Sequence, residues 1–485
     1  MASFKSDDSF LEKISIGAIG TRQVYQHLKD LGHTPIELER GSMSYKIWKK
    51  IKIKRIRVPD ILLVDCGVRV ESRAKSKLEI TMSHSESDPT RGWDYGMKDN
   101  DLVALVVCSK VGEEPIDWEA DKTVQYVKVK DLRDAAKNDL IDYVKPKGAE
   151  EGFEARITWP SSVASANGKI KQITDKRIQF SRASDNRTIS LSLQKKGIEL
   201  QPLVSQGDTI VENQIIASTV LVSDSFESNP VNQDFFITNL NSSDLSDRYA
   251  AAKALTYFEI PETVNALTET IQDENEHIYV KLEAAASLAR FNIDLGFEFI
   301  EQCLAENDYA QNILESVIVL AEIKSAKSCE ILGEVLSNEK YDPEIRAGAA
   351  WALGEQNNES SLTSLIQSFN NVDEVIRVEA ARALGKLTRD FTPNIIDQFE
   401  YSSESEKPGV AWALSISNNV KVADLLPKLN DLDSRQWGSY ILGKQGSEKH
   451  LMEIEELKKK DPEVYFAVTV LWKIMTNWVY NLKEY

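Results

Sequence analysis

The chain has 485 residues, enough for two to four domains that each bury a core. No run approaches the roughly 18 consecutive apolar residues of a membrane span, and the N-terminus lacks the apolar core of a signal peptide. The four cysteines are scattered, without a C-x-x-C pair, which favours reduced thiols over a zinc or disulfide framework. These features predict a cytoplasmic protein without a membrane-spanning segment.

The formal net charge of −18 is unevenly distributed along the chain. Residues 1–150 carry a net charge of +1, residues 151–222 carry +2, and residues 223–485 carry −21. An acidic surface repels phosphate backbones, so the C-terminal half is unsuited to wrapping nucleic acid. We therefore expect that half to bind a protein partner.

The N-terminal third predicts a compact α/β domain over residues 1–148. The first 14 residues are polar and are expected to be frayed. Apolar residues recur with helical spacing before a terminal glycine in Thr21–Gly32, which predicts a helix. The other predicted elements are a strand at Pro35–Glu39, a buried strand at Asp101–Cys108 and a short helix within Asp131–Val144.

A predicted hairpin brings two acidic residues together in this domain. Two β-rich runs, Ile61–Val64 and Val68–Val70, flank the turn residues Asp65-Cys66-Gly67. If the loop is centred between Asp65 and Cys66, Asp60 lies directly opposite Glu71. Opposed residues share one face of the sheet with Cβ atoms roughly 5 Å apart. The pattern therefore predicts a pair of neighbouring carboxylates.

Two basic residues belong to the same predicted face, because side chains alternate along a strand and Arg73 and Lys75 follow Glu71 at even spacing. Pro59-Asp60 and Glu71 together resemble the PD-(D/E)xK nuclease superfamily. The resemblance implies that Asp60 and Glu71 bind Mg²⁺ or Mn²⁺ through oxygen ligands, and that Lys75 or Arg73 polarises water or phosphate. In this sequence the lysine comes four residues after Glu71 instead of two, and more strand follows where the family has a helix. The alternative is a surface hairpin with a solvated charged face.

A basic segment precedes the hairpin. The stretch Lys46–Arg57 has seven positive charges and no negative one, and its second part alternates isoleucine with lysine. One basic strand face suits a phosphate backbone, although lysines also protect edge strands from aggregation. A further candidate, His84, lies in a predicted long loop and could act as a general base. The predicted nucleic-acid-binding residues are Lys49, Lys50, Lys52, Lys54, Arg55 and Arg57.

Residues 151–222 predict a small all-β module, because they alternate apolar and polar residues without a helical period. The stretch Gly207–Ala217 resembles the G-D-x-V-x-x-G-Q-x-I-A signature of barrel-sandwich hybrid (biotinyl/lipoyl-like) modules. Asn213 replaces the second glycine, and asparagine also tolerates a left-handed turn. Lipoyl carriers present their modified lysine between two such signatures, and only one copy is clear here. We therefore expect a spacer or docking module instead of a carrier.

From residue 236 the chain repeats a helical turn that is often rich in alanine and ends in leucine. Two helices per unit with a period near 30 residues predict an α-solenoid. Small residues let paired helices approach closely, and the leucines fill the shared core. The final leucines of the successive copies are Leu255, Leu288, Leu320, Leu353, Leu384, Leu414 and Leu442.

Two of these copies, Arg346–Gly354 and Arg377–Gly385, resemble short HEAT repeats of the phycobilisome-lyase-like type. The resemblance implies the architecture and says little about activity. We expect the aromatic stretch Val464–Leu482 to be a terminal capping helix. The predicted fold is therefore multidomain, with an α/β nuclease-like domain, an all-β module and an all-α HEAT-type solenoid.

Three functions follow as hypotheses. The first is a metal-dependent nuclease that acts on DNA through the N-terminal domain, with the acidic solenoid as a scaffold for a protein partner. The second is a non-catalytic adaptor whose modules all bind proteins. The third is a bilin lyase, which only the solenoid resemblance suggests.

Overall fold

A computed structural model describes residues 7–43, 51, 56–78, 80–83, 92–144, 154–306, 309–417, 419–425, 432–445, 459 and 462. The chain forms two compact units. Unit 1 comprises Met1–Ile47 and Arg55–Ala266, and unit 2 comprises Trp48–Lys54 and Leu267–Tyr485. The N-terminal region is rich in sheet, and the C-terminal region is a helical repeat. The predicted domains 1–148, 151–222 and 236–485 stay predictions.

The described secondary structure comprises the following elements. The strands are β1 (Pro35–Glu37), β2 (Ile61–Leu63), β3 (Arg69–Lys75), β4 (Ile80–Ser83), β5 (Leu102–Lys110), β6 (Trp118–Lys128), β7 (Asp142–Val144), β8 (Glu154–Thr158), β9 (Ser161–Val163), β10 (Gly168–Ile173), β11 (Arg177–Arg182), β12 (Thr188–Ser192), β13 (Gln194–Lys195), β14 (Ile198–Glu199), β15 (Gln201–Pro202), β16 (Thr209–Ile210) and β17 (Ile215–Ser218). The helices are α1 (Asp7–Asp30), α2 (Val129–Lys137), α3 (Gln233–Asn239), α4 (Leu245–Ala254), α5 (Pro261–Gln272), α6 (Ile278–Arg290), α7 (Asp294–Glu306), α8 (Ala310–Glu322), α9 (Ala326–Ser337), α10 (Pro343–Gln356), α11 (Ser361–Gln367), α12 (Glu374–Tyr401), α13 (Lys407–Ser415), α14 (Val422–Leu425) and α15 (Leu432–Gln445).

Unit 1 is built on a five-stranded mixed sheet in the order β1-β2-β3-β5-β6. Strands β1, β2 and β3 are antiparallel neighbours, whereas β3 and β5 are parallel. Strand β5 is buried and apolar from Leu102 to Cys108, as expected for a strand that is covered on both faces of the sheet. One face packs on α1 through Val24 and Leu28, which are buried with Val70 and Val106.

The expected frayed N-terminus is wrong for residues 7–14, which belong to helix α1. Helix α1 packs on the sheet core, where it contributes the half-buried Ile16 and Ile19. The C-terminal end is where the sequence placed it. Gly32 adopts a left-handed φ of 91°, the conformation that commonly terminates helices.

The chain from β8 to β17 consists of strands and contains no described helix, as predicted for residues 151–222. Its largest sheet has the order β12-β11-β10-β16, over a core that includes Ile170, Phe180 and Ile216. Asn213 adopts a left-handed φ of 65°, so it takes the conformation for which the related signature uses glycine. The barrel-sandwich identity of this module stays a prediction.

The helical repeats bury the leucines that mark them in the sequence. All seven final leucines have at most 1% of their surface exposed. Small residues allow close helix contacts, because a Cβ on Gly354 of α10 would lie 2.9 Å from the Cβ of Ala383 of α12. Within the described residues, no helix is both long and apolar enough to cross a bilayer. The predicted capping helix Val464–Leu482 lies outside the described residues.

Candidate functional site

The β2–β3 hairpin has the predicted register. Ile61 pairs with Val70 and Leu62 with Arg69, so Asp60 and Glu71 are the next opposed pair. The Ser72 N–H donates to Asp60 Oδ2 over 2.7 Å, and the Asp60 N–H donates in return to the Glu71 carboxylate. These two backbone hydrogen bonds hold both carboxylates at the end of the β2–β3 hairpin.

Burial and like charge raise the pKa of both carboxyl groups. Burial is the main cause for Asp60, whose pKa lies well above its ordinary value, and Glu71 and Glu39 raise it further. Burial also raises the pKa of Glu71, while Arg73 and Arg57 partly oppose the rise. Three acids (Glu39, Asp60 and Glu71) and two guanidinium groups (Arg57 and Arg73) therefore interact in unit 1. We call these five residues the carboxylate cluster. Such shifts are common at functional sites, although structural ion pairs also produce them.

A guanidinium is the immediate neighbour of Glu71. Arg73 Nη2 donates to Glu71 Oε1, as the alternation of side chains along β3 predicts. Lys75 lies two residues further on that face. Among the described residues, the carboxylate oxygens of Glu39, Asp60 and Glu71 do not gather closely enough to count as a three-ligand metal group. The oxygen donors suit Mg²⁺ in type, but a cation already neutralises Glu71.

Most of the predicted nucleic-acid-binding residues, Lys49, Lys50, Lys52, Lys54 and Arg55, lie outside the described residues, as does His84. The described member, Arg57, is half-buried, and its guanidinium carbon lies 5.8 Å from the ring centroid of Tyr95. The sequence did not single out Glu39 or Arg57 as parts of the carboxylate cluster. No local signal marks Glu39, because its backbone meets Asp60 only through long-range pairing of the chain.

A second cluster lies at the turn of the hairpin and comprises His33, Asp65 and Cys66; we call it the hairpin-turn cluster. His33 Nδ1 lies 2.8 Å from Asp65 Oδ2, and the ligand atoms of all three residues lie within 4.8 Å of one another. Burial raises the pKa of Asp65, but the hydrogen bonds from His33 and the Thr34 N–H outweigh burial, so the net shift is downward. The sequence predicts Asp65-Cys66-Gly67 only as a turn, because His33 is remote in the chain.

Unit 2 has an acidic groove of about 780 Å³ between α9, α10, α11 and the loop that precedes α12. Glu330 and Glu334 of α9 are exposed on its wall, and Glu339 and Asp373 add further carboxylates. The nearby cation, Arg346, is buried and donates from Nε to the Leu336 carbonyl over 2.9 Å. It therefore caps the C-terminal end of α9, where a positive charge is favourable.

Residues 297–385 match the model of the HEAT repeat family, so this part of the chain consists of HEAT repeats. No curated protein matches the chain.

Three solved structures match part of the chain. The structure of human deoxyhypusine hydroxylase in complex with glycerol is 16% identical, with 44% of this chain and 83% of that chain covered and a TM-score of 0.20. The complex of CpcE and CpcF of phycocyanin lyase from Nostoc sp. PCC7120 is 17% identical, with 51% and 96% covered and a TM-score of 0.26. An engineered protein is 20% identical, with 44% and 96% covered and a TM-score of 0.23.

Proposed function

We propose that this protein is a non-catalytic scaffold whose HEAT repeats bind a lysine- or arginine-rich segment of a partner protein. The observation that carries the proposal is the acidic groove of unit 2. Helical repeats expose extended surfaces suited to binding, and a wall of carboxylates attracts and orients a basic partner. The groove is also lined by the neutral donors and acceptors Gln367, Asn370 and Asn371, which can bind a peptide backbone.

An apolar contact is available beside these charges. Val372 lines the groove and has 90% of its surface exposed, and Val375 at the start of α12 is also exposed. A partner segment that alternates basic and aliphatic residues would pair with the acids and cover Val372. A basic and aliphatic stretch of the chain itself contacts α10, at a residue that does not line the groove. The N–H of Ile51, whose neighbours in sequence are lysines, donates to Glu344 Oε2 of α10 over 2.6 Å.

A labelled peptide with the sequence of residues 46–57 tests this proposal in a fluorescence anisotropy titration of the full chain. Reversal of two groove charges, Glu330→Lys with Glu334→Lys, should weaken binding by at least about tenfold, the effect of losing about 1.4 kcal/mol. The matched control is Asp397→Lys with Glu400→Lys, which changes the net charge equally at exposed sites that do not line the groove. Equal loss in both variants would mean that net charge attracts the peptide and that the groove does not bind it.

The carboxylate cluster supports a second candidate function, a metal-dependent nuclease acting on DNA. Asp60 and Glu71 would hold Mg²⁺ or Mn²⁺, with Glu39 near enough to add negative charge. A bound metal would polarise phosphate and water. Lys75, or Arg73 once released from Glu71, would stabilise charge that develops on the phosphate. Arg57 and the predicted basic residues would contact the nucleic-acid backbone.

Cleavage assays decide between these functions. The full chain is incubated with DNA and with RNA in Mg²⁺, Mn²⁺ or EDTA, and Asp60→Asn and Glu71→Gln serve as variants of nearly unchanged shape. The nuclease hypothesis expects metal-dependent cleavage by the wild type that both variants lose. Absence of cleavage with all substrates and metals would leave the scaffold as the function. A bilin lyase stays a third hypothesis, which pigment-binding assays test.

A further inference from the structure

We propose that the hairpin-turn cluster, His33, Asp65 and Cys66, is a binding site for a divalent transition metal of the Zn²⁺ type. Its donors are an imidazole nitrogen, a carboxylate oxygen and a thiol sulfur, the three side-chain donor types that Zn²⁺ uses in proteins. It is the one group of three such donors whose ligand atoms lie within 4.8 Å of one another in the described part of the chain.

The geometry is close to that of a coordinated site. Bonds of about 2.0–2.3 Å with tetrahedral angles place pairs of ligand atoms about 3.3–3.6 Å apart. His33 Nδ1 and Asp65 Oδ2 are 2.8 Å apart, so they would separate by about half an ångström to admit the metal. Cys66 Sγ would need a shift of at most about 1.5 Å, which a change in side-chain torsion can supply.

The protein already positions each of the three ligands. The His33 backbone N–H donates to the Leu28 carbonyl at the end of α1, and the His33 ring stacks on Phe226 with centroids 5.0 Å apart. The other oxygen of Asp65, Oδ1, accepts from the Thr34 N–H over 2.7 Å. Hydrogen bonds to the remaining atoms of a ligand orient it and tune its affinity for a metal.

The turn itself holds the third ligand. The Gly67 N–H donates to the Leu63 carbonyl over 2.7 Å, and Gly67 has a left-handed φ of 70°, so the backbone at Cys66 is fixed. The thiol is buried, whereas Asp65 is about one-third exposed. The solvent side of Asp65 therefore leaves room for water as a fourth ligand, as in sites that keep an open position.

The donor set separates this site from the carboxylate cluster. A thiol selects Zn²⁺, Co²⁺ or Cu⁺ over Mg²⁺, which prefers oxygen alone. A metal here would also link two segments of unit 1, the end of α1 and the hairpin turn. The segment after β17 meets the cluster as well, since the Val231 N–H donates to the Asp65 carbonyl over 2.8 Å.

Titration of the chelator-treated full chain with Co²⁺ tests the proposal, because cobalt reports thiolate ligation by a charge-transfer absorption band. The wild type should bind about one equivalent with this band, and Zn²⁺ should displace the cobalt. Cys66→Ala should abolish the band. His33→Gln should weaken Zn²⁺ binding by at least about 100-fold, because loss of a ligand costs no less than the 10–100-fold cost of losing an outer-shell partner. Glutamine retains a donor for Asp65, so His33→Gln tests the metal role if Cys66→Ala fails to fold.

Two controls accompany these variants. Cys303→Ala removes a buried cysteine of unit 2 and should leave the band unchanged. Asp60→Asn disables the carboxylate cluster and should leave the thiolate band in place, so cobalt at that cluster cannot be mistaken for this site. The proposal is overturned if the wild type shows no thiolate band, or if zinc affinity in His33→Gln equals that of the wild type. In either case the His33–Asp65 hydrogen bond only stabilises the turn.

Discussion

Replacement of Arg69 by alanine should destabilise unit 1 more than any surface charge substitution. Arg69 of β3 and its partner Asp101, which precedes β5, each have 3% of their side chain exposed. The guanidinium binds both oxygens of Asp101, with Nη2 2.6 Å from Oδ2. Its Nη1 donates to Ser246 Oγ over 2.9 Å at the start of α4. One side chain therefore ties two strands to the first turn of a helix.

The loss of stability in Arg69→Ala depends on how well the acidic partners of Arg69 stay compensated. Removal of one partner of a buried ion pair costs about 3–5 kcal/mol, because the other charge stays buried without compensation. Asp101 would retain the backbone donors Lys98 N at 2.6 Å and Arg69 N at 3.2 Å. Asp247, whose Oδ1 lies 3.4 Å from Arg69 Nη1, would retain Lys98 Nζ at 2.8 Å. We therefore expect the lower end of the range, about 3 kcal/mol.

Native-state hydrogen exchange is the suitable assay, because two compact units need not unfold together. Amides of β3 and β5 should exchange about 100-fold faster in Arg69→Ala, the equivalent of about 3 kcal/mol. Arg133→Ala is the matched control, since Arg133 also binds two aspartates but is 28% exposed, and exposed pairs contribute at most about 1 kcal/mol. Equal effects of the two variants would refute the assignment of Arg69 as a buried structural link.

Three further substitutions test other parts of the structure. Leu384→Ala should lower the free energy of unfolding of the repeats by about 2–5 kcal/mol in chemical denaturation, because Leu384 is fully buried. The control Val375→Ala, at an exposed position of the same helix, should lower it by less than about 0.5 kcal/mol. Gly67→Ala should lower the melting temperature, because its Cβ would lie 2.6 Å from Phe235 in a backbone conformation with φ of 70°. Asp60→Asn should gain stability over the wild type as the pH rises. Because the pKa of Asp60 is raised in the folded protein, the stability that Asp60 contributes is fully present below the unfolded-state pKa and is lost as the pH rises through the folded-state pKa. Melting curves of both proteins from about pH 4 to pH 8 test this. A difference in melting temperature that does not change with pH would contradict it.

The hairpin and the repeats could be predicted because their signals are local. The turn residues at 65–67 set the register, and register fixes which side chains face each other, so the opposition of Asp60 and Glu71 follows from the sequence. The repeated leucines are all buried because each helix pair covers its apolar face with its neighbours.

The remaining features depend on distant parts of the chain. Glu39 joins the carboxylate cluster and His33 joins the hairpin-turn cluster only after β1 pairs with β2. The helical state of residues 7–14 escaped prediction because polar composition suggested fraying, whereas packing of α1 on the sheet stabilises the helix. The charge balance indicated an acidic C-terminal half, but the position of Glu330 and Glu334 beside Asp373 required the stacking of α9 on α11.

Hydrogen exchange of the full chain, with and without the peptide of residues 46–57, tests the central claim most directly. The scaffold account predicts slowed exchange in α9, α11 and the loop before α12, with no change in the five-stranded sheet. The protection should weaken as salt rises, because salt screens exposed charges beyond about 10 Å at 0.1 M. Protection spread over the whole acidic surface, or absent from the groove at peptide saturation, would contradict the account.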